Sequence, residues 1–192
     1  MPIMTPIMTQ PEIDRYAALL DNANTVLEFG SGCSTILAAN RPGLKIVSVD
    51  SDEGWFEKLR CETPVRKAEA EGRLNFVHVD IGPTGEWGKP TNTEHKSLWP
   101  RYSRDPWAAL PNAPDLILID GRFRVACALE AATRRFDGAV IAIHDFNRRT
   151  YHRVRFFLHQ SESVDRLAIF SGYRAPRWLA SLALMKYRYD PR

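Results

Sequence analysis

Short apolar runs recur along the chain and predict buried strands. Five of them are rich in Val, Ile and Leu: TVLEF (25–29), KIVSVD (45–50), LNFVHVD (74–80), DLILID (115–120) and AVIAIHD (139–145). Near-continuous apolar runs of this length are typical of strands buried on both faces, as in parallel sheets. Four of the five runs end on an Asp, so acidic side chains should lie at one edge of the sheet.

Segments with helical spacing of apolar residues lie between these runs and predict crossover helices. They are PEIDRYAALLDNA (11–23) before the first run, then 34–40, 53–62, 123–136 and 148–159. Helix 123–136 is expected to stop at Asp137-Gly138, because Gly adopts the left-handed conformation of a helix C-cap without strain. This alternation of strand and helix is typical of an α/β fold.

Two further extended runs near the C-terminus, RLAIFS (166–171) and WLASLALMKY (178–187), predict a hairpin. We therefore expect an α/β fold: a three-layer α/β/α Rossmann-like sandwich whose seven-stranded sheet is mostly parallel, with an antiparallel C-terminal strand. A single domain should cover residues 1–192, with residues 1–23 as an N-terminal helical segment.

Residues 81–113 interrupt the alternation and hold three of the five tryptophans and five prolines. A loop of this length inside a compact domain is usually functional or disordered. Its aromatic and basic residues favour a lid-like insertion; the alternative is a flap that packs its tryptophans onto the core. The stretch YSRDPWAAL (102–110) predicts a short helix within it.

Composition narrows the class of protein. Of 192 residues, 44% are hydrophobic and 26% charged, which is ordinary for a soluble globular protein. The net charge of +3 gives little phosphate neutralisation, so a nucleic-acid partner is not favoured. Three widely spaced cysteines match no metal or disulfide pattern. With no secretory signal and no apolar run of about 18 residues, we expect a cytoplasmic protein that does not enter a membrane.

The stretch VLEFGSGCSTILAA (26–39) places a Gly-Ser-Gly turn directly after the first predicted strand. Ligands of open α/β sheets bind beyond the carboxyl ends of the strands. The dinucleotide fingerprint needs a third glycine where Thr35 stands, so an NAD-dependent oxidoreductase is a weaker alternative. The carboxylate of Glu28 would repel a pyrophosphate and attract an ammonium group, and Asp50 could accept hydrogen bonds from ribose hydroxyls. A nucleoside with an amino-acid tail fits both.

On these residues the chain resembles the class I S-adenosylmethionine-dependent methyltransferases, in particular small-molecule O-methyltransferases. The matching positions are Glu28-Phe29-Gly30-Ser31-Gly32, Asp50, Asp80-Ile81 and Asp120. The resemblance implies S-adenosylmethionine as cofactor. It assigns the methionine amino end to Glu28, close backbone approach to Gly30, Ser31 and Gly32, hydroxyls or amides to Ser34 and Thr35, the ribose to Asp50, and the adenine to Asp80 and Ile81.

The segments IDGRFR (119–124) and IHDFNRR (143–149) should lie nearest the reacting group. In metal-dependent O-methyltransferases, acids at these two strand ends bind a divalent cation. The resemblance therefore makes Asp120 and Asp145, with Asn147 or His144 as a third contact, candidate Mg²⁺ ligands. Without a metal, His144 could act as a general base, or it could simply bond the backbone.

Arginines follow both strand ends, and Arg122, directly after Asp120, is the one expected to reach a substrate. Arginine suits forked contacts with carboxylate or phosphate, so an anionic small-molecule acceptor is favoured. The predicted function is S-adenosylmethionine-dependent methyl transfer to such an acceptor at oxygen, with His144, Asp120 and Arg122 as catalytic candidates. The alternative is a methyltransferase-like protein that binds the cofactor or its demethylated product without turnover. The acceptor and the oligomeric state stay open.

Overall fold

The computed structural model describes residues 7–134 and 137–192, and within them seven strands form one mixed sheet. The spatial order of the strands is β3-β2-β1-β4-β5-β7-β6. Their bounds are β1 Thr25–Phe29, β2 Lys45–Asp50, β3 Leu74–His78, β4 Leu116–Ile119, β5 Val140–Ile143, β6 Leu158–Val164 and β7 Leu167–Tyr173.

Strands β1 to β5 pair in parallel, whereas β7 runs antiparallel to both of its neighbours, β5 and β6. The predicted fold class, a mostly parallel seven-stranded sheet with an antiparallel C-terminal strand, is confirmed. An all-parallel dinucleotide-binding sheet lacks such a strand.

Helices cover both faces of the sheet. Their bounds are α1 Gln10–Leu20, α2 Cys33–Ala39, α3 Glu53–Leu59, α4 Thr63–Ala70, α5 Pro100–Arg104, α6 Arg124–Arg134 and α7 Arg177–Tyr187. Short 3₁₀ segments occur at Glu86–Gly88, Lys96–Leu98, Asp105–Ala109 and Tyr151–Phe156. Within the described ranges, no helix is long and apolar enough to cross a membrane.

The alternation of side chains along the strands divides the core into two parts. Leu27 and Phe29 of β1 pack with α5 and α6 on one face, whereas Val26 packs with α1, α2 and α4 on the other. Glu28 has the parity of Val26 and therefore points under α2. By the same period of two, Asp50, Asp120 and His144 project from their strand ends toward the α1–α2 side.

The prediction of a strand at WLASLALMKY is wrong, because Arg177–Tyr187 forms α7. Residues 180, 183, 184 and 187 of this helix pack against the core, which is the helical i, i+3, i+4, i+7 spacing. Trp178, Leu182 and Met185 are exposed, so hydrophobic residues occur on both faces and hid that spacing in the sequence.

The hairpin exists, but RLAIFS supplies its second strand, not its first. Its partner, β6, has the sequence LHQSESV and alternates buried and accessible residues, as an edge strand does. Those polar residues concealed the strand, and the predicted helix 148–159 is reduced to the 3₁₀ segment Tyr151–Phe156. Helix α4 was not predicted. The predicted end of helix 123–136 falls on residues 135–136, outside the described residues, and Gly138 has a positive φ of 83°.

The insertion at residues 81–113 has two buried tryptophans and one exposed tryptophan. Trp99 and Trp107 are buried in the core, and the Trp99 Nε1 donates to the Ile81 carbonyl at 3.1 Å. Trp87, in contrast, is 64% exposed and lines the cavity described below. Segment YSRDPWAAL falls on α5 and the 3₁₀ segment Asp105–Ala109. That the insertion acts as a lid stays a prediction.

Candidate active site

A cavity of about 430 Å³ lies at the carboxyl ends of β1, β2, β4 and β5. Most of the residues that the sequence singled out line it: Gly30, Ser31, Gly32, Ser34, Asp50, Asp120, Arg122, His144 and Asp145. The volume is in the range of small-molecule sites in proteins. The topology therefore brings the Gly-Ser-Gly turn and the two acidic strand ends into one site.

Five other predicted site residues do not line this cavity. Glu28 and Thr35 are fully buried behind the turn. Asp80 is exposed and accepts a hydrogen bond from the Gly82 N–H at 2.8 Å, while Ile81 is buried in the core. Asn147 is exposed elsewhere on its loop. Direct contacts of these residues with a ligand stay predictions.

The turns after β1 and β4 touch at two glycines. Gly30 has a φ of +97°, and a Cβ built on it would lie 2.6 Å from the Cα of Gly121. A side chain at either position would push the two turns apart, since real Cβ atoms do not approach backbone so closely. The backbone at Gly32 is open instead, with nothing within 4 Å of a built Cβ. Glycine thus lets the two halves of the cavity meet.

Glu28 is enclosed by hydroxyl groups beneath the turn. Its carboxylate accepts hydrogen bonds from Ser34, from the Thr35 hydroxyl at 2.6 Å and from the Ser48 hydroxyl at 2.7 Å. The Thr35 hydroxyl in turn accepts from the Gly32 N–H at 3.0 Å. Burial raises the pKa of Glu28 to about 7, although the three hydroxyls partly offset this shift. Glu28 therefore fixes the shape of the turn from behind.

Asp50 ends β2 on the wall of the cavity. Its carboxylate accepts hydrogen bonds from backbone N–H groups of Ser31 at 3.1 Å, Ser51 at 2.7 Å and Asp52 at 3.0 Å. Burial raises its pKa to about 6 against the effect of these hydrogen bonds. Trp55 and Trp87 stand on the same wall, so this end of the cavity combines a carboxylate with aromatic surface.

A line of three acid–base groups, of which Glu12 and His144 are buried, joins α1 to the other end of the cavity. The Nδ1 of His144 lies 3.1 Å from Asp120 Oδ1, and its Nε2 lies 3.3 Å from Glu12 Oε2. Burial lowers the pKa of His144, but the hydrogen bond and charge of Asp120 outweigh it and raise the pKa overall. Burial likewise opposes ionisation of Asp120, yet His144 and Arg124 hold the pKa of Asp120 below its usual value. Both ring nitrogens of His144 thus face carboxylates, and its action as a general base stays a prediction.

Arginines compensate the carboxylates at this end. Arg124 lies 3.0 Å from Asp120 and 3.5 Å from Asp145, while Arg148 and Arg166 lie 3.3 and 3.1 Å from Asp145. Arg122 differs from these three: among the described residues its buried Nε has no hydrogen-bond partner. Burial, together with the charges of Arg124 and Arg148, lowers the pKa of Arg122. Among the described residues this guanidinium on the cavity wall forms no ion pair, although its charge contributes to the lowered pKa of Asp120.

Comparison with known proteins gives one solved structure that decides the family. A methyltransferase-like protein of Silicibacter pomeroyi is 31% identical, covers 98% of each chain and superposes with a TM-score of 0.85. This chain belongs to the S-adenosylmethionine-dependent methyltransferases. No protein-family model matches the sequence, and neither does any curated protein.

More distant methyltransferases share the fold alone. An O-methyltransferase of Bacillus cereus in complex with S-adenosylhomocysteine is 15% identical, with 87% of this chain and 82% of that chain covered and a TM-score of 0.53. A TDP-rhamnose 3′-O-methyltransferase of calicheamicin biosynthesis is 15% identical, covers 87% of each chain and has a TM-score of 0.52.

The expected Mg²⁺ ligands come together in this methyltransferase only in part. Ligand atoms of Asp120, His144 and Asp145 lie within 4.8 Å of one another. However, Arg124 contacts both carboxylates, and His144 already pairs with Asp120. A dication about 4 Å from that guanidinium would be repelled by on the order of 8 kcal/mol at an effective dielectric constant of about 20. The donor set as folded does not fit Mg²⁺.

Several residues of the site were missed by sequence reasoning. Glu12 comes from α1, and Arg166 from the turn between β6 and β7, far from the site in sequence. Ile7, Met8 and Trp55 line the cavity without any motif. Ser48 could have been found, because it shares the strand parity of Glu28 on the neighbouring strand and faces the same layer.

Proposed function

We propose that this cavity binds S-adenosylmethionine at the β1–β2 end and a small anionic acceptor at the β4–β5 end, and that the acceptor is methylated at oxygen. The observation that carries the proposal is the continuity of the cavity, which runs from the Gly-Ser-Gly turn and Asp50 to Asp120 and Arg122. S-adenosylmethionine supplies a methyl group activated by a sulfonium. Beyond that, the reaction needs orientation of the two partners and an acceptor oxygen that has lost its proton.

The β1–β2 end suits the cofactor by the chemistry of its donor and acceptor groups. The open backbone at Gly32 leaves room for close approach, and the Asp50 carboxylate can accept from ribose hydroxyls. Trp55 offers an aromatic face to a nucleobase. Asp80 and Ile81, which do not line the cavity, would act on the adenine only through the loop that they anchor.

The β4–β5 end suits an anionic acceptor because of Arg122. A buried guanidinium nitrogen without a partner in the described chain is costly, and a carboxylate or phosphate on the acceptor would satisfy it. Lys89 and Arg148 stand on the same cavity and would add to the attraction. Acceptor binding would thus restore the pKa of Arg122 toward its usual value.

Asp120 would orient the acceptor by accepting a hydrogen bond from it, without taking up its proton. Its pKa is held low by His144 and Arg124, and a weakly basic carboxylate accepts a hydrogen bond without taking the proton. His144 stabilises the ionised state of Asp120 from behind. The acceptor oxygen should therefore be acidic in its own right, as a carboxylate, phenol or enol oxygen is.

The test is turnover with radiolabelled S-adenosylmethionine and a pool of small carboxylates, phosphates and phenols. We expect labelled product from at least one anionic acceptor, and its loss in Arg122→Met while calorimetric binding of S-adenosylhomocysteine persists. Arg153→Met, an arginine outside the cavity, is the matched control. Binding of S-adenosylhomocysteine without turnover of any acceptor would favour the non-catalytic alternative, and no binding would overturn the proposal.

A further inference from the structure

The loops after β4 and β5 are joined by the side chain of Arg124, which is only 4% exposed. Its Nε donates to the Gly121 carbonyl at 3.0 Å, and its Nη1 donates to the His144 carbonyl at 2.5 Å. The same guanidinium lies 3.0 Å from the carboxylate of Asp120 and 3.5 Å from that of Asp145. One cation therefore contacts two carboxylates and two carbonyls.

Oxygen ligands of this kind, two carboxylates with two carbonyls, are what a hard divalent cation gathers around itself. We propose that Arg124 is a built-in replacement for such a cation, so that methyl transfer by this chain needs no metal. The catalytic consequence rests on the proposed function. The exclusion of a cation concerns the folded chain alone and can be tested without turnover.

Backbone geometry supports a structural role for this guanidinium. Phe123, just before Arg124, and Asp145, just after His144, both have a φ of +54°. Non-glycine residues adopt this left-handed conformation at a cost and keep it where surrounding contacts impose it. Arg124 bonds a carbonyl in each of these two turns, so its planar, directional donors can hold both of them.

The other basic groups occupy the remaining positions around Asp145. Arg166 contacts its Oδ1 at 3.1 Å, and Arg148 contacts its Oδ2 at 3.3 Å. Among the described arginines, however, only Arg124 contacts both Asp120 and Asp145; the Nδ1 of His144 also lies 3.1 Å from Asp120 and 4.0 Å from Asp145. Removal of Arg148 would leave the pair of carboxylates bridged by a guanidinium, whereas removal of Arg124 would leave His144 as their one shared contact among the described residues. The two variants therefore differ in whether a guanidinium still bridges Asp120 and Asp145.

The experiment is titration of each protein with Mn²⁺ alone, followed by electron paramagnetic resonance of the free ion and by thermal unfolding. The variants are Arg124→Ala, Arg124→Gln and Arg148→Ala, with circular dichroism to establish folding. Arg124→Gln retains most of the side-chain volume, so it carries the test if Arg124→Ala does not fold. Arg124→Lys keeps a positive charge and is the conservative rescue.

We expect the wild type, Arg148→Ala and Arg124→Lys to bind Mn²⁺ no tighter than about 1 mM, the weak end of protein cation sites. A folded Arg124→Ala or Arg124→Gln should bind at least about tenfold tighter, and Mn²⁺ should raise its unfolding temperature. Wild-type binding below about 100 µM that Asp145→Asn abolishes would overturn the inference. So would a folded neutral variant that gains no Mn²⁺ affinity.

The failure of this inference can be told from failure of the proposed function. S-adenosylhomocysteine binding reports on the β1–β2 end and does not involve Arg124. If that ligand binds and the Mn²⁺ results contradict expectation, only the role of Arg124 is wrong. If the Mn²⁺ results hold and the ligand does not bind, the cation replacement stands while the proposed function falls.

Discussion

The carboxylates at the two ends of the cavity have different contact partners, and the pKa of Asp120 shifts in the opposite direction to those of Glu28 and Asp50. At the β1–β2 end, Glu28 and Asp50 contact hydroxyl and backbone N–H groups. At the β4–β5 end, Asp120 and Asp145 contact arginines and a histidine. Burial raises the pKa of Glu28 to about 7 and that of Asp50 to about 6, whereas His144 and Arg124 hold the pKa of Asp120 below its usual value.

This difference predicts the sign of the charge that a ligand would bring to each end of the cavity. Asp50, which lines the cavity, forms no ion pair in the described chain, so a positively charged ligand beside it would lower its pKa and gain affinity by doing so. The β4–β5 carboxylates are already paired with arginines, and the buried Nε of Arg122 there has no hydrogen-bond partner among the described residues. A cationic cofactor at one end and an anionic acceptor at the other satisfy both.

The largest effect is expected at the contact between the two ends. Gly30→Ala should destabilise the chain by several kcal/mol, about 4 or more, because it adds a backbone clash to a strained φ of +97°. Gly43→Ala is the control, since its φ is +77° but a Cβ there meets nothing within 4 Å. Urea unfolding measures both. Equal losses for the two variants would mean that the turns after β1 and β4 can separate.

The next effect concerns Glu28 and the pH dependence of stability. Because its folded pKa of about 7 exceeds the usual 4.5, stability from this group is full below pH 4.5 and is lost as the pH rises through 7. The shift corresponds to about 3 kcal/mol. Glu28→Gln should remove this part of the decline in the free energy of unfolding between pH 5 and pH 8. Glu57→Gln, at an exposed position, should leave the decline as in wild type.

A smaller effect is predicted for ligand affinity at Asp50. With a pKa of about 6, its carboxylate is mostly protonated at pH 5, so S-adenosylmethionine should bind roughly tenfold weaker at pH 5 than at pH 8. Asp50→Asn should bind weakly at both pH values. Calorimetry at the two pH values measures this, with Glu57→Gln as a control outside the cavity. An unchanged pH profile in Asp50→Asn would assign the titration to another group.

The smallest effect is expected at the rim. Trp87 lines the cavity but is 64% exposed, so Trp87→Ala should weaken S-adenosylhomocysteine binding only about two- to fivefold, as expected for a partly exposed contact. The stability of the fold should not change, whereas Trp99→Ala, at a buried position, should lower it by about 3 kcal/mol or more. A loss of binding above a hundredfold in Trp87→Ala would make the insertion an essential part of the cofactor site.

Much of the fold could be predicted because its central strands are apolar on both faces. The five parallel strands and the strand-ending acids follow from that pattern. The C-terminal elements could not be assigned in this way, since β6 is a polar edge strand and α7 carries Trp178 and Met185 on an exposed face. Hydrophobic pattern reports burial: β6 buries little and therefore gave no strand signal, whereas α7 exposes hydrophobic residues and therefore gave a misleading one.

The site residues at the strand ends could be predicted from the sequence, whereas contacts between segments distant in sequence could not. Asp50, Asp120 and Asp145 came together because parallel strands place their carboxyl ends at one edge. Sequence spacing gave no indication that Glu12 of α1 pairs with His144, or that Arg124 bridges the two acids. Those contacts depend on the packing of α1 and α6 against the sheet, whereas the expected metal site rested on the family resemblance and the two strand ends, and the expected histidine base on residue type.

The most direct test of the division between the two ends is calorimetric titration of S-adenosylhomocysteine into wild type, Asp50→Asn and Arg122→Met at pH 7.5. We predict micromolar binding to wild type, a loss of at least about tenfold in Asp50→Asn and a change within about threefold in Arg122→Met. No binding to wild type, or an equal loss in the two variants, would contradict the assignment of the cofactor to the β1–β2 end.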